Sequence, residues 1–268
     1  AGINYDLVIF SNLTPEHIEA HGGFDNYRSA KEKLFYHLSK SKRKNISGQV
    51  IKKIIVSNAD DIETKRLKKI PVDKFVTYSI DSQADYRAKN INLENGLSFS
   101  LGNDFIKTNL FGRFNVYNVL SALATVEELG FSREKLANCK ISNVAGRQEW
   151  IEDGQDFKIL IDYAPEPASL KQLYKALESF SYNKLIHVLG SCGGGRDKAR
   201  QPILGKLAGQ NADIVIVTNE DPYDDDPLEI INNVASGAIE ACKIDGQTLF
   251  KIEDRRKAIE KAIEMAQR

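Results

Sequence analysis

The sequence carries no net charge: 37 lysines and arginines are matched by 37 aspartates and glutamates. That balance excludes the broad positive field on which non-specific nucleic-acid binding depends, so small anions must be held by local groups. Cysteine is scarce, with Cys139, Cys192 and Cys242 an odd, widely spaced set that includes no Cys-x-x-Cys pair. With no secretory leader, reduced thiols and a cytoplasmic location are expected. Long apolar runs are missing too; none approaches the roughly 20 residues that span a bilayer, so no membrane insertion is expected. A Gly-x-x-x-x-Gly-Lys-Ser/Thr phosphate loop is also absent. What is present, 42% hydrophobic and 9% aromatic residues in a chain of 268, fits ordinary buried cores and leaves room for two domains.

Apolar periodicity predicts alternating strands and helices in the first half: a strand over 6–10, a helix over 25–39, a strand over 51–56 and a charged helix over 60–68. Between 75 and 111 short segments with turns at Glu94-Asn95-Gly96 and Gly102-Asn103-Asp104 predict antiparallel strands flanking a parallel sheet. Val116, Val119, Leu120, Leu123 and Val126 then mark one helix ended by Gly130. A new series begins after the Gly154 turn, with buried parallel strands expected over 158–162, 185–189, 214–217 and 249–252. Helices are expected near 168–180, 199–209, 227–238 and 255–266. The domain boundary is placed near 144–149, giving domains 1–148 and 149–268.

Several constellations sit where strands hand over to helices, the usual ligand side of an α/β sheet. Asn12-Leu-Thr-Pro-Glu-His17 and Tyr27-Arg-Ser-Ala-Lys31 follow the first strand; by themselves, His17 is a loop histidine and Lys31 a solvated helix lysine. Asn115 and Asn118, three apart on one helix face, suit a purine edge or ribose, or simply a helix cap. Arg147, beside Gly146 at the expected domain junction, suits phosphate oxygens or an interdomain ion pair. Asp162 ends a strand, and the glycines of Gly190-Ser-Cys-Gly-Gly-Gly-Arg196-Asp-Lys allow backbone amides near an anion. That spacing is not Gly-x-Gly-x-x-Gly, so a dinucleotide fingerprint fails. In Asn219-Glu220-Asp221-Pro222-Tyr223-Asp-Asp-Asp226 the run Asp224 to Asp226 reads as surface acidity.

Taken together, these motifs resemble the Mur ligase family, in particular its UDP-N-acetylmuramoyl-tripeptide synthetases, over nearly the whole chain. The resemblance implies an α/β fold: a partial central domain, a parallel sheet with flanking antiparallel strands, followed by a Rossmann-like doubly wound C-terminal domain. It further implies an ATP-dependent ligase of peptidoglycan synthesis that adds the third amino acid to UDP-N-acetylmuramoyl-dipeptide through an acyl phosphate. ATP and Mg2+ would be the cofactors, and the dipeptide and a free amino acid the partners. Lys31, carbamylated, and His17 would hold magnesium; Lys31, His17 and Arg147 would serve catalysis. Asn115, Asn118, Arg147 and Asp162 would contact ATP, and Arg196, Glu220 and Asp221 the incoming amino acid.

Two positions depart from the family pattern. Pro165 stands where the related synthetases have a histidine, and Tyr223 stands where those taking meso-diaminopimelate have an arginine. An acceptor with a cationic or neutral side chain is therefore expected. Measured against the family, the sequence lacks the UDP-sugar domain, the phosphate loop and the closing strand, so a piece of an enzyme truncated at both ends, inactive alone, is expected. The rival readings are a folylpolyglutamate synthetase-like ligase and a non-catalytic nucleotide- or peptide-binding module.

Overall fold

A computed structural model describes residues 2–15, 18–94, 96–133, 141, 144–195 and 197–266. The chain divides into two compact units, one of Ala1–Pro15 with Gly22–Asn143, the other of Glu16–His21 with Val144–Arg268.

In the first unit the strands are β1 (Leu7–Phe10), a small hairpin β2 (Asn45–Ile46) and β3 (Gln49–Val50), β4 (Ile54–Asn58), β5 (Lys74–Ser79), β6 (Tyr86–Asn92), β7 (Leu97–Leu101) and β8 (Asp104–Thr108). Apart from the hairpin they form one sheet in the order β1-β4-β5-β6-β7-β8. All five residues of β4 are buried, as befits a central parallel strand covered on both faces. Side-chain alternation splits the core in two. Ile54 and Val56 join Val76, Leu97, Phe99, Val116 and Leu120 on the face covered by the Phe114–Glu128 helix, while Ile55 joins Val8, Phe10, Phe35 and Leu38 under the Phe24–Lys40 helix. Within this sheet antiparallel pairing is confined to β6-β7-β8; β5, expected among the antiparallel strands, pairs parallel with both β4 and β6. The charged stretch expected as a helix over 60–68 is a turn followed by one short helix, Thr64–Leu67, because the Asp60 and Asp61 carboxylates bind backbone amides instead of projecting from a helix.

The Phe114–Glu128 helix ends as its glycine predicts. Gly130, at φ 95°, donates to the Glu127 carbonyl at 2.9 Å, and Phe131 donates to that of Val126 at 3.1 Å. These two bonds cap the last turn in a Schellman motif.

The second unit holds β9 (Glu149–Ile151), β10 (Ile159–Ile161), β11 (Ile186–Leu189), β12 (Ile214–Val217) and β13 (Leu249–Lys251). The last three form a parallel sheet in the order β11-β12-β13, with helices at Pro167–Leu177, Arg200–Asn211, Pro227–Glu240 and Arg255–Ala266. One expectation fails here: β10 is not a strand of that sheet but pairs antiparallel with β9. Its residues are only partly covered or exposed, so the apolar run Ile159-Leu-Ile161 serves a two-stranded ribbon. Val215, Val217, Leu204, Ala208, Ile231 and Val234 build the core. The Arg200–Asn211 and Pro227–Glu240 helices meet backbone to backbone: a Cβ on Gly205 would lie 1.7 Å from the Val234 carbonyl oxygen, and one on Gly237 would lie 1.8 Å from that of Pro202.

Candidate active site

In the first unit a polar turn sits at the carboxyl ends of β1, β4 and β5. The Phe24–Lys40 helix carries Lys31 on its exposed side, with Nζ 5.3 Å from the centre of the Tyr27 ring. Both helix neighbours of Lys31 are tied down: Arg28 Nε lies 3.2 Å from Glu63 Oε1, and Glu32 Oε1 lies 2.9 Å from Arg66 Nε. His17, its expected partner, lies outside the described residues.

The turn Asn58–Asp61 is the densest polar feature. Asn58 donates from Nδ2 to the Ser11 carbonyl at 2.9 Å, and Asp61 Oδ2 accepts from the Leu13 amide at 3.0 Å, so the exit from β1 is fastened to the end of β4. Asp60 accepts from the amides of Ile80 (2.7 Å), Asp81 (3.0 Å) and Ser82 (2.7 Å) and from the Tyr117 hydroxyl (2.9 Å). Burial works to raise the Asp60 pKa, but the donors, led by the Ile80 amide, win and hold it at about 2. Sequence reasoning missed this turn. The signal was available, since Asn and Asp directly after an apolar strand favour a turn closed by their own side chains.

Asn115 and Asn118 have unequal positions. Asn115 is buried, donates from Nδ2 to the Phe111 carbonyl at 2.8 Å, and accepts from Asn118 Nδ2 at 2.9 Å. It does not cap the helix; the cap position is Arg113, which makes no side-chain capping bond. Asn118 is exposed, so the outward polar edge of the pair belongs to it, with Asn115 as its support.

In the second unit the β9–β10 ribbon brings together two candidates that lie 15 positions apart. The Arg147 guanidinium stacks 4.5 Å over the Tyr163 ring. Asp162 accepts from the Gln148 amide at 3.0 Å and from the Ala164 amide at 2.9 Å, which pins the loop carrying Arg147. Arg147 is exposed, and a planar cation resting on an aromatic face keeps its outer edge for a phosphate or carboxylate.

The glycine loop after β11 and the loop after β12 form one block. The Gly193 amide donates to the Asp221 carbonyl at 2.9 Å, and the Gly194 amide donates to Asp225 Oδ2, also at 2.9 Å. A Cβ on Gly194 would come within 2.6 Å of the Tyr223 ring, so these glycines serve close packing between loops. Asp225 also lies 3.4 Å from Lys198 Nζ, and Asp226 caps the next helix by accepting from the Leu228 amide at 2.9 Å. Asp225 and Asp226 thus also make structural bonds, while Asp224 and Asp226 are exposed, as the surface-charge reading expects. Glu220 lies beside Cys192; burial first, and then that carboxylate, push the buried thiol above its usual pKa and leave it a poor nucleophile. Asp221 is exposed, and its backbone is what the loop lock uses. Pro165 precedes an ion pair between Glu166 and the buried Arg200, and Pro167 opens the following helix. Arg196 lies outside the described residues.

No group of three or more His, Cys, Asp or Glu side chains is placed to hold a metal among the described residues. Lys31 as an ammonium repels a cation, so its fit to magnesium depends on conversion to a carbamate, whose hard oxygens suit that ion. No helix among the described residues is long and apolar enough to cross a membrane.

Comparison with known proteins places the chain in a family. A UDP-N-acetylmuramyl-tripeptide synthetase of Roseiflexus sp. is 37% identical over 277 residues, covering 99% of this chain and 54% of that protein. A UDP-N-acetylmuramoyl-L-alanyl-D-glutamate--2,6-diaminopimelate ligase of Halalkalibacterium halodurans is 33% identical over 272 residues, covering 99% and 53%. A solved structure of a ligase of that same name superposes with a TM-score of 0.56 at 30% identity, covering 99% of this chain and 53% of the other. The chain thus spans about half the length of the curated relatives it matches. Residues 1–126 match the Mur ligase middle domain and residues 146–268 match the family described as Mur ligase, glutamate ligase domain, so the chain belongs to the Mur ligase family.

Proposed function

We propose that this chain carries the phosphoryl-transfer and acceptor-binding parts of an ATP-dependent ligase that joins an amino acid to UDP-N-acetylmuramoyl-dipeptide in peptidoglycan synthesis. The observation that carries the reading is the continuity of the match: tripeptide synthetases and ligases align with 99% of the chain, so the candidate residues arrive as a set. The domains are taken as 1–148 and 149–268. In the reaction, a carboxylate oxygen of the dipeptide takes the γ-phosphoryl group of ATP and ADP leaves. The acceptor's amine then attacks the acyl carbon, and phosphate departs as the amide forms.

Each residue has a task in this scheme. Asn118, supported by Asn115, meets the nucleoside, Asp162 makes a further ATP contact, and Arg147 meets the phosphates. Lys31 as a carbamate and His17 would hold magnesium, which when bound spreads the charge of the transferring phosphoryl group. Arg196 takes the acceptor's α-carboxylate, while Glu220 and Asp221 line the acceptor loop. Tyr223 supplies no cation for a second carboxylate, which favours lysine or a neutral side chain over meso-diaminopimelate. Several relatives are diaminopimelate ligases by name, which favours diaminopimelate instead, so the acceptor is the point to test.

The experiment is phosphate release and amide formation with ATP, Mg2+, UDP-N-acetylmuramoyl-dipeptide and either lysine or meso-diaminopimelate. With an N-terminal phosphate-loop segment supplied, lysine turnover, dependent on dissolved carbon dioxide and abolished in Lys31→Ala, is expected. Preference for diaminopimelate would overturn the acceptor reading, and an unaffected Lys31→Ala would remove Lys31 from the site. These 268 residues contain no phosphate-loop motif, so this chain by itself is expected to show negligible turnover, and robust amide formation by it would refute that.

A further inference from the structure

The groups assigned to chemistry in the first unit lie on two stretches distant in sequence, the exit from β1 leading towards Lys31 and the start of the Phe114–Glu128 helix. Both are fastened to the same turn. Asn58 and Asp61 hold Ser11 and Leu13 on one side, and Asp61 Oδ1 also accepts from the amide of Glu63, the residue that meets Arg28 on the Lys31 helix. On the other side Asp60 gathers the 80–82 loop and the Tyr117 hydroxyl. A second tie runs parallel to it, since Arg113 NH2 donates to Asp81 Oδ1 at 2.6 Å. The first turn of the helix is thereby gripped at Arg113 and Tyr117, one residue before Asn118.

We propose that Asp60 is a positioning residue for the nucleotide, acting through the Tyr117 hydroxyl to fix the helix turn that presents Asn118. The inference rests on the reading that Asn118 contacts ATP. The chemistry of the turn requires a carboxylate. Three amides and a phenol all donate to Asp60, and only an anionic group with two acceptor oxygens satisfies four donors without presenting one of its own. Tyr117 lies at the helix start with its ring 6.5 Å from that of Tyr78, edge to face. The hydroxyl therefore adds direction to a ring already held by packing, and its loss leaves the ring contact in place.

That separation makes Tyr117→Phe the informative variant, since Asp60→Asn sets an amide against backbone amides and risks the fold. In the full chain, the dissociation constant of a non-hydrolysable ATP analogue is measured by calorimetry for wild type, Tyr117→Phe, Asn118→Ala and the double variant. Tyr117→Phe is expected to weaken binding about fivefold, the scale of one lost hydrogen bond, while the melting midpoint stays within about 3 °C. The double variant is expected to bind no more weakly than Asn118→Ala alone, because the hydroxyl acts only through that side chain. Unchanged binding in Tyr117→Phe beside weakened binding in Asn118→Ala would overturn this proposal and leave the nucleotide reading standing, as would fully additive losses. Unchanged binding in Asn118→Ala would overturn both.

Discussion

At the scale of single residues, His187 shows how the fold restrains a titratable group that the proposed chemistry does not use. Its Nδ1 lies 2.6 Å from the Tyr174 hydroxyl, and desolvation lowers its pKa to about 4 from an ordinary 6.5. The native state therefore keeps this ring neutral where the unfolded chain takes up a proton, so stability is complete above about pH 6.5 and declines as the pH falls towards 4. The loss should be on the order of 2 kcal/mol for a partly enclosed ring. Denaturant midpoints at pH 7 and pH 5 check it: wild type should lose stability over that interval, and His187→Gln, which cannot titrate, should lose less. Residue identity is the most legible level of this site. The sequence singles out Lys31, Arg147, Asp162 and the asparagine pair, but not that Asn115 is bonded inward or that Arg147 rests on Tyr163, since both depend on neighbours brought close by folding. The role of Asp60 is equally hidden, because its donors come from loop 80–82 and from Tyr117.

At the scale of elements, long periodic segments are readable and short ones are not. The Phe114–Glu128, Pro227–Glu240 and Arg255–Ala266 helices fall where apolar spacing and caps put them. Ile159-Leu-Ile161 is misread because three apolar residues look alike in a parallel sheet and in a two-stranded ribbon. The contact between the Arg200–Asn211 and Pro227–Glu240 helices is also invisible in sequence, since a glycine within a helix ordinarily reads as a weak point. Here Gly205 and Gly237 are what let the two backbones touch. Gly205→Ala should therefore destabilise the second unit despite its better helix propensity, by on the order of 3 kcal/mol, because the obstructing atoms belong to backbone and cannot rotate away. Chemical denaturation would show it, and a neutral or stabilising result would refute the contact.

At the scale of the molecule, each unit has its own core: the apolar clusters of the first lie on residues between Tyr5 and Ile141, and that of the second on residues between Leu170 and Leu249. Two cores predict non-coincident unfolding. Trp150, the chain's sole tryptophan, packs at 5.3 Å against Phe180 in the second unit. Its fluorescence should follow that unit alone, while calorimetry should record a broader transition than a two-state fit allows; superimposable curves would argue for one cooperative block. The lock between the glycine loop and the acceptor loop has a last consequence. With Gly193 and Gly194 hydrogen-bonded to the Asp221–Asp225 segment, and the helices that follow both loops touching at Gly205 and Gly237, the Gly193–Gly194 stretch and the loop after β12 are held as one unit. A change of preference in such a frame would proceed by swapping what stands on it, and not by bending it.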